Sequence, residues 1–390
     1  MTRRAQLSLP AYYAVESLYS AASMLFLYGI YFWLQARHGF AYRENLWLGF
    51  AAGAGIAPAA YFGGRLADRA GYDAWLRALA PALPACVAAL WLPARATAFV
   101  AVPLYLFVLS CSWPAVEAAV LHAPSPLSMP RRLGRYNLAW ALSGAAMLFA
   151  GGPLYARHRD AVLVVPVALH VAACAGLWMR RRGAADGDGT AMDVPHRTRD
   201  VPRAVKRSFV RLAWIANGLC YLMQSALMPL LPWLAREFGL SPSRGLTLVS
   251  AFFVARGLSF VLFWKWEGWH YHRGWAAAAI FVAPLALGAV FFGGSLPGAV
   301  AAFAAMGVAF GLTYSASIYY SLDYGENKGE HGGIHEAVIG LGNVGGPLLG
   351  MIGARFLGGP DGGMATVLAA AALAGAAALA PLFRRTVGAV

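Results

Sequence analysis

The chain has 390 residues, of which 59% are hydrophobic and only 12% charged, with a mean hydropathy of +0.56. A soluble domain carries about a quarter charged residues, so this composition excludes an ordinary soluble globular protein. The formal net charge of +14 does not indicate nucleic-acid binding, because the basic residues lie in short segments between apolar runs rather than along one amphipathic face or in a recognition motif.

The basic start, Met1 to Arg4, leads into an apolar segment too long for a signal-peptide core and without a small-residue cleavage site, so the first helix is expected to stay in the protein. Windows of about twenty apolar residues follow near 11–35, 45–64, 75–93, 97–121, 136–156, 161–179, 208–235, 246–265, 275–293, 297–320, 334–356 and 364–383. They predict an all-α polytopic membrane protein with twelve transmembrane helices and no extramembrane domain. The one long hydrophilic stretch, 180–207, opens on Arg180, Arg181 and Arg182, passes through a Gly/Asp-rich run and ends in a second basic cluster. It has the composition of a linker, and divides the chain into a six-helix bundle over 1–179, a cytoplasmic basic linker over 180–207 and a second six-helix bundle over 208–390. With the N-terminus placed in the cytoplasm, 22 of the 31 Lys and Arg fall on the inner side, which puts both termini inside by the positive-inside rule. The abundant Ala, Gly and Arg suggest a bacterial inner membrane.

Two features bear on internal symmetry and on moving parts. Gly151-Gly152-Pro153-Leu154 in the fifth span recurs as Gly345-Gly346-Pro347-Leu348 in the eleventh, an offset of 194 residues, as expected if the bundles are repeats related by a pseudo-two-fold axis. After the second span comes Gly64-Arg65-Leu66-Ala67-Asp68-Arg69-Ala70-Gly71. It is expected to form a tight charged turn whose Asp68 carboxylate accepts from guanidinium groups or from a helix N-terminus.

Taken together, twelve spans, a six-plus-six division, a basic central loop and a charged segment after the second span resemble the major facilitator superfamily of secondary transporters. The family's loop pattern, Gly-x-x-x-Asp-Arg/Lys-x-Gly followed by basic residues, is matched by Gly64, Asp68, Arg69 and Gly71, and departs at Tyr72 and Asp73, with Arg77 in partial compensation. An antiporter-type helix pattern, Gly-x-x-x-Gly-Pro-x-x-Gly, is met by Gly342, Gly346, Pro347 and Gly350, in the eleventh span rather than the fifth. The resemblance implies two bundles rocking about a midplane cavity, with Gly64, Asp68, Arg69 and Gly71 as an inter-helix conformational latch.

Ionisable groups within the spans are the functional candidates, because a charge in hydrocarbon costs at least a few kcal/mol unless paired or facing water. Glu16 shares a helix face with Tyr12, Tyr19 and Ser20, lining either a cavity or the cytoplasmic interface with Arg3 as its partner. Glu117 follows Pro114 in the fourth span, and either titrates or pairs with Arg135. His335 and Glu336 open the eleventh span. These four, Glu16, Glu117, His335 and Glu336, are the expected proton-coupling residues. Arg256 falls near the middle of the eighth span, where a cation needs a carboxylate or an anionic ligand. Asn217, Tyr221 and Gln224 form one polar stripe on the seventh span, extended by Tyr314 and Asn343. With Tyr19 and Arg256 they are the expected substrate-binding set.

No cofactor, metal site or nucleotide motif is indicated. Cys86, Cys111, Cys174 and Cys220 lie in apolar runs without paired spacing, and Met223, Met228, His270 and His272 lack a completing ligand set. The expected function is secondary active transport of a small organic solute, anionic or zwitterionic and partly apolar, by a monomer in the bilayer. Protons are the first expectation for the coupling ion and Na⁺ the second. A lipid or lysolipid flippase of the same fold and a non-transporting sensor or assembly factor are the alternatives.

Overall fold

The computed structural model describes residues 7–179, 201–324 and 328–384. Every regular element among them is helical. In chain order they are α1 (Leu9–His38), α2 (Tyr42–Ala54), α3 (Ile56–Ala70), α4 (Tyr72–Leu79), α5 (Ala82–Ala89), α6 (Ala98–His122), α7 (Met129–Arg157), α8 (Ala161–Met179), α9 (Arg203–Glu237), α10 (Pro242–Leu248), α11 (Ser250–Lys265), α12 (Arg273–Phe292), α13 (Leu296–Tyr324), α14 (Lys328–Gly353) and α15 (Gly359–Arg384). The linker segment 180–200 and the loop residue Glu326 lie outside the described residues.

Ten of the resulting helical runs are long and apolar enough to cross a membrane. α1 shows why: its 30 residues extend about 45 Å, more than the roughly 30 Å hydrocarbon core. Pro10 opens the helix, and Gly39 closes it at φ 66°, its N–H reaching the carbonyls of Gln35 and Leu34. Two of the expected spans are absent from the ten as separate crossings. The third is broken at Ala80–Pro81 into α4 and α5, each eight residues long. The last two merge into one run, Ala337–Pro381, of 45 residues. As a straight helix it would extend about 67 Å, twice the bilayer core. Instead a π-helical turn at Ala354–Gly358 and positive φ at Gly358 and Gly359 interrupt it, and α14 and α15 pack against each other.

The stretch 64–71 corrects one expectation. It is not a turn: Gly64 to Ala70 form the last two turns of α3, and only Gly71 leaves the helix, at φ 89°. Leu, Ala and Arg are strong helix formers, and they outweigh a single internal glycine. Residues 328–330 are helical, as the start of α14.

Close backbone approach at glycines sets how the helices lie. A Cβ at Gly342 or Gly346 would meet α9 backbone, at 2.5 Å from the Gly218 carbonyl oxygen and 2.1 Å from that of Leu222. The corresponding Gly152 of α7 lies as close to α10, 2.5 Å from the Ser243 carbonyl, and Ser243 Oγ donates back to the Gly152 carbonyl at 2.7 Å. Gly49 and Gly53 of α2 abut Pro229 and the Asn343 carbonyl, and Asn45 donates to the Pro229 carbonyl at 3.2 Å. Small residues of this kind let membrane helices pack without a hydrophobic driving force between them.

Candidate functional site

Arg256 lies on α11 and is 2% exposed. Among the described residues no carboxylate comes within ion-pairing distance, the ion pairs found being Arg95–Glu44 and Lys206–Asp323. Rings enclose the guanidinium instead. Its carbon sits 5.0 Å from the ring centre of Trp140 (α7), 5.2 Å from Tyr314 (α13), 5.7 Å from Tyr221 (α9) and 5.9 Å from Phe260 (α11). Trp140 lies edge-on to both Phe260 and Tyr314, so the rings form a continuous wall. Two long hydrogen bonds complete the surroundings, to Gln224 Oε1 at 3.5 Å and to Tyr221 Oη at 3.3 Å, and Arg256 Nε is buried with no acceptor. A guanidinium in low dielectric attracts aromatic faces, but faces do not satisfy its N–H groups, so the site is short of acceptors.

The seventh-span stripe is therefore divided. Tyr221 and Gln224 reach Arg256, and Tyr28 of α1 neighbours both Gln224 and Arg256. Asn217 does not join them: it is buried with both amide atoms unpartnered. Tyr314 is in the cage. His335 sits at its rim, edge-on to Tyr314 at 5.5 Å, with Nδ1 2.7 Å from Ser317 Oγ. Asn343 turns back on its own helix and donates to the Ile339 carbonyl at 2.9 Å. The Glu336 side chain lies outside what is described.

A second polar cluster lies between α1, α6 and α7. Glu16 is 1% exposed; Ser20 Oγ donates to its Oε1 at 2.7 Å, and Oε2 is buried without a partner. Tyr136 of α7 faces the same carboxyl, as does half-buried Glu117 of α6, and no cation pairs with either acid among the described residues. Arg3, one candidate partner for Glu16, lies outside the described residues. Arg135 does not pair with Glu117. Its neighbour Arg132 is buried instead and donates through Nη1 to the carbonyls of Leu121 at 2.6 Å and Ala123 at 3.0 Å, fastening a cation to the C-terminal end of α6.

Tyr19 leaves the Glu16 face and packs edge-on to His170 of α8 at 5.5 Å. His170 is fully buried; its Nε2 lies 2.9 Å from Tyr105 Oη, and its Nδ1 and the Tyr19 hydroxyl are unpartnered.

At the α3–α4 junction, Asp68 and Arg69 are exposed, and Asp68 accepts from the Tyr72 hydroxyl at 3.0 Å. Burial and the Asp68 carboxylate push the Tyr72 phenol up to about 12. The inter-helix tie at this end is made by Asp73, which accepts from the Leu7 N–H at 3.0 Å and the Tyr12 hydroxyl at 2.5 Å and so fastens the start of α1 to the start of α4. At the corresponding end of the later helices, Lys206 pairs with Asp323 at 3.0 Å, and the Tyr271 hydroxyl donates to Asp323. His270 stacks on Tyr319, while His272 accepts from the Trp275 N–H and caps α12.

Trp140, Phe260, Tyr136, His170, Asp73 and Arg132 are the residues that sequence reasoning passed over. For Asp73 a signal existed, since it stands where the family pattern expects a basic residue.

The geometry defines a polytopic helical membrane protein with a caged cation, unpaired among the described residues, between α7, α9, α11 and α13. No protein-family model matches the chain, and no curated protein matches its sequence. Solved structures match its fold over nearly their whole length. The human organic anion transporter MFSD10 (TETRAN) aligns at 16% identity with a TM-score of 0.64, covering 95% of this chain and 98% of that one. The nucleoside transporter NupG aligns at 10% and 0.71, covering 96% and 99%, and the peptide transporter POT at 14% and 0.74, covering 96% and 94%. The chain has the fold of the major facilitator transporters.

Proposed function

We propose that the protein is a secondary transporter of small organic anions with an aromatic or apolar part, with Arg256 as the residue that meets the anionic group. The observation that carries this reading is a buried guanidinium without a carboxylate partner among the described residues, walled by Trp140, Tyr221, Phe260 and Tyr314. An anionic group supplies the missing acceptors, and the rings offer faces to an apolar portion. The organic anion named for MFSD10 is in keeping with that chemistry. Glu16 and Glu117 are the coupling-proton carriers in this reading, since a buried and a half-buried carboxyl that no cation pairs with among the described residues are suited to exchanging protons rather than to permanent pairing.

In the same reading the chain makes twelve crossings in two six-helix bundles, joined by the 180–207 linker, with both termini cytoplasmic and the monomer as the working unit. At the end carrying the α1–α2 connection Gly49, Gly152 and Gly245 bring helices into contact. At the opposite end Gly134 meets only the Trp264 ring, at 3.8 Å.

The test is a thermal-shift panel of aryl and alkyl carboxylates, sulfonates and phosphates against matched cations and neutral compounds, followed by proteoliposome uptake with and without an imposed proton gradient. Stabilisation by anions that Arg256→Gln abolishes is expected. Stabilisation by cations or neutral solutes alone overturns the assignment.

A further inference from the structure

A cavity of about 480 Å³ lies away from the Arg256 cage, between the C-terminal end of α1 and the α7–α8 connection. That volume is within the roughly 300–1,000 Å³ of small-ligand sites. Trp33 and Arg37 line it from α1, and Arg157, His158, Arg159 and Asp160 from the end of α7 and the loop beyond. Asp160 Oδ1 accepts from the indole of buried Trp33 at 2.7 Å, which fastens the loop to α1. The three arginines are exposed, and among the described residues none pairs with Asp160 or any other acid. Before any charge on His158, the wall therefore carries an excess of two positive charges.

Helix ends account for two of these cations. Arg37 and Arg157 stand in the last turns of α1 and α7, where a cation complements the carbonyl end of the helix dipole. Arg159 stands in the opposite situation, two residues ahead of α8 at the amide end, where a cation is disfavoured. Membrane topology does not account for the group either. In the orientation expected from the sequence this end faces outward, where arginines are few, yet three of the eight assigned to that side line this one cavity.

We infer that the cavity is a binding site for a phosphate group, held by Arg37, Arg157 and Arg159. Guanidinium forks match phosphate oxygens in pairs, and the charge of about −1.5 to −2 on a phosphate monoester balances the excess on the wall. Val164 and Val171 continue from Asp160 along one face of α8 and are 52% and 51% exposed. An apolar face suited to lipid chains thus runs up to the cavity, so the phosphate of a lipid headgroup reaches it as readily as that of a soluble compound. The site depends neither on the Arg256 cage nor on the transport reading.

Two measurements on the purified protein separate these sources. Labelled inorganic phosphate is titrated against delipidated protein in a neutral detergent. Native mass spectrometry then counts the lipid kept by protein released from nanodiscs of phosphatidate, phosphatidylglycerol and phosphatidylcholine in equal amounts. Phosphate binding without lipid retention assigns the site to a soluble phosphate compound, and anionic lipid kept over phosphatidylcholine assigns it to a headgroup. In either case Arg157→Gln combined with Arg159→Gln should lower phosphate affinity at least about tenfold or release the lipid. Arg43→Gln combined with Arg355→Gln, which removes two exposed arginines outside the cavity, should leave both readouts unchanged. Asp160→Asn keeps an acceptor for the Trp33 indole and should tighten phosphate by up to about fivefold. Absence of binding in both measurements, an equal loss in the control pair, or weaker phosphate binding in Asp160→Asn overturns the inference. So does binding that Arg256→Gln abolishes and the Arg157/Arg159 pair leaves intact, since that places the phosphate in the cage.

Discussion

Replacing Arg256 by Met separates a ligand-binding cation from a structural one. A structural ion pair broken at one partner leaves an uncompensated charge and costs about 3–5 kcal/mol. Here the terms that hold the guanidinium are weak. Its two hydrogen bonds are 3.3 and 3.5 Å long, and worth less than the ~1.5–3 kcal/mol of a good charged bond. The ring contacts at 5.0–5.9 Å contribute about 1–2 kcal/mol each at best and do not add fully. Against them stands a desolvation penalty of several kcal/mol, aggravated by the unpartnered Nε. Met fills a similar volume and is at home among rings. The ligand-free Arg256→Met protein should therefore melt with stability within about 1 kcal/mol of the unmutated chain, or above it.

On the proposed reading, anion binding responds in the opposite sense. Losing the charged partner of a desolvated anion costs about 2–5 kcal/mol, which is roughly a 30-fold to several-thousand-fold loss of affinity. The assay is a pair of melting curves in one detergent, with and without the best anion of the panel. A ligand-free variant destabilised by more than about 3 kcal/mol would refute the reasoning, by showing that the cation has a structural partner.

The other predictions concern the packing and the ties at the helix ends. Gly346→Ala should cost about 1–3 kcal/mol or more, since its Cβ would lie 2.1 Å from the Leu222 carbonyl, whereas Gly345→Ala meets only a leucine methyl at 3.4 Å and should melt near the unmutated temperature. Asp73→Ala should destabilise by about 1–3 kcal/mol and speed amide exchange at residues 7–13; Asp68→Ala, which loses one exposed tyrosine contact, should do neither. Asp323→Asn should cost about 2–4 kcal/mol by stranding Lys206, whose side chain is only 15% exposed, and a melting temperature unchanged within error would show that the pair contributes nothing.

What the sequence disclosed and what it withheld follow from range. Arg256 was legible because a lone cation in an apolar run is costly wherever its helix goes. Of its cage, Tyr221 and Tyr314 were grouped with it from their polar hydroxyls, while Trp140 and Phe260 were not, because an apolar aromatic in a membrane span carries no signal of what it faces. The 64–71 segment was misread as a turn: glycines at both ends look like breaks, yet Gly64, whose Cβ position meets only the Pro114 side chain at 3.8 Å, stays helical while Gly71 takes positive φ. Asp73 stood out only as a departure from a pattern, and its partners lie some sixty residues away. His170 was passed over because its partners, Tyr19 and Tyr105, come from two other helices.

The two sites differ in a way that bears on mechanism. Among the described residues Glu16 and Glu117 gather like charges with no cation, and Arg256 meets no acid, although a buried acid and a buried base in one protein gain most by meeting. Packing keeps them apart: Glu16 looks to α6 and α7, Arg256 to α9 and α13, and α7 runs between, facing each through residues one turn apart. A protein selected for stability alone would lose little by replacing all three charges with apolar groups. On the proposed reading, such separation would let a proton and an anion each find its own site, because a direct Glu16–Arg256 bridge would leave neither free for a ligand.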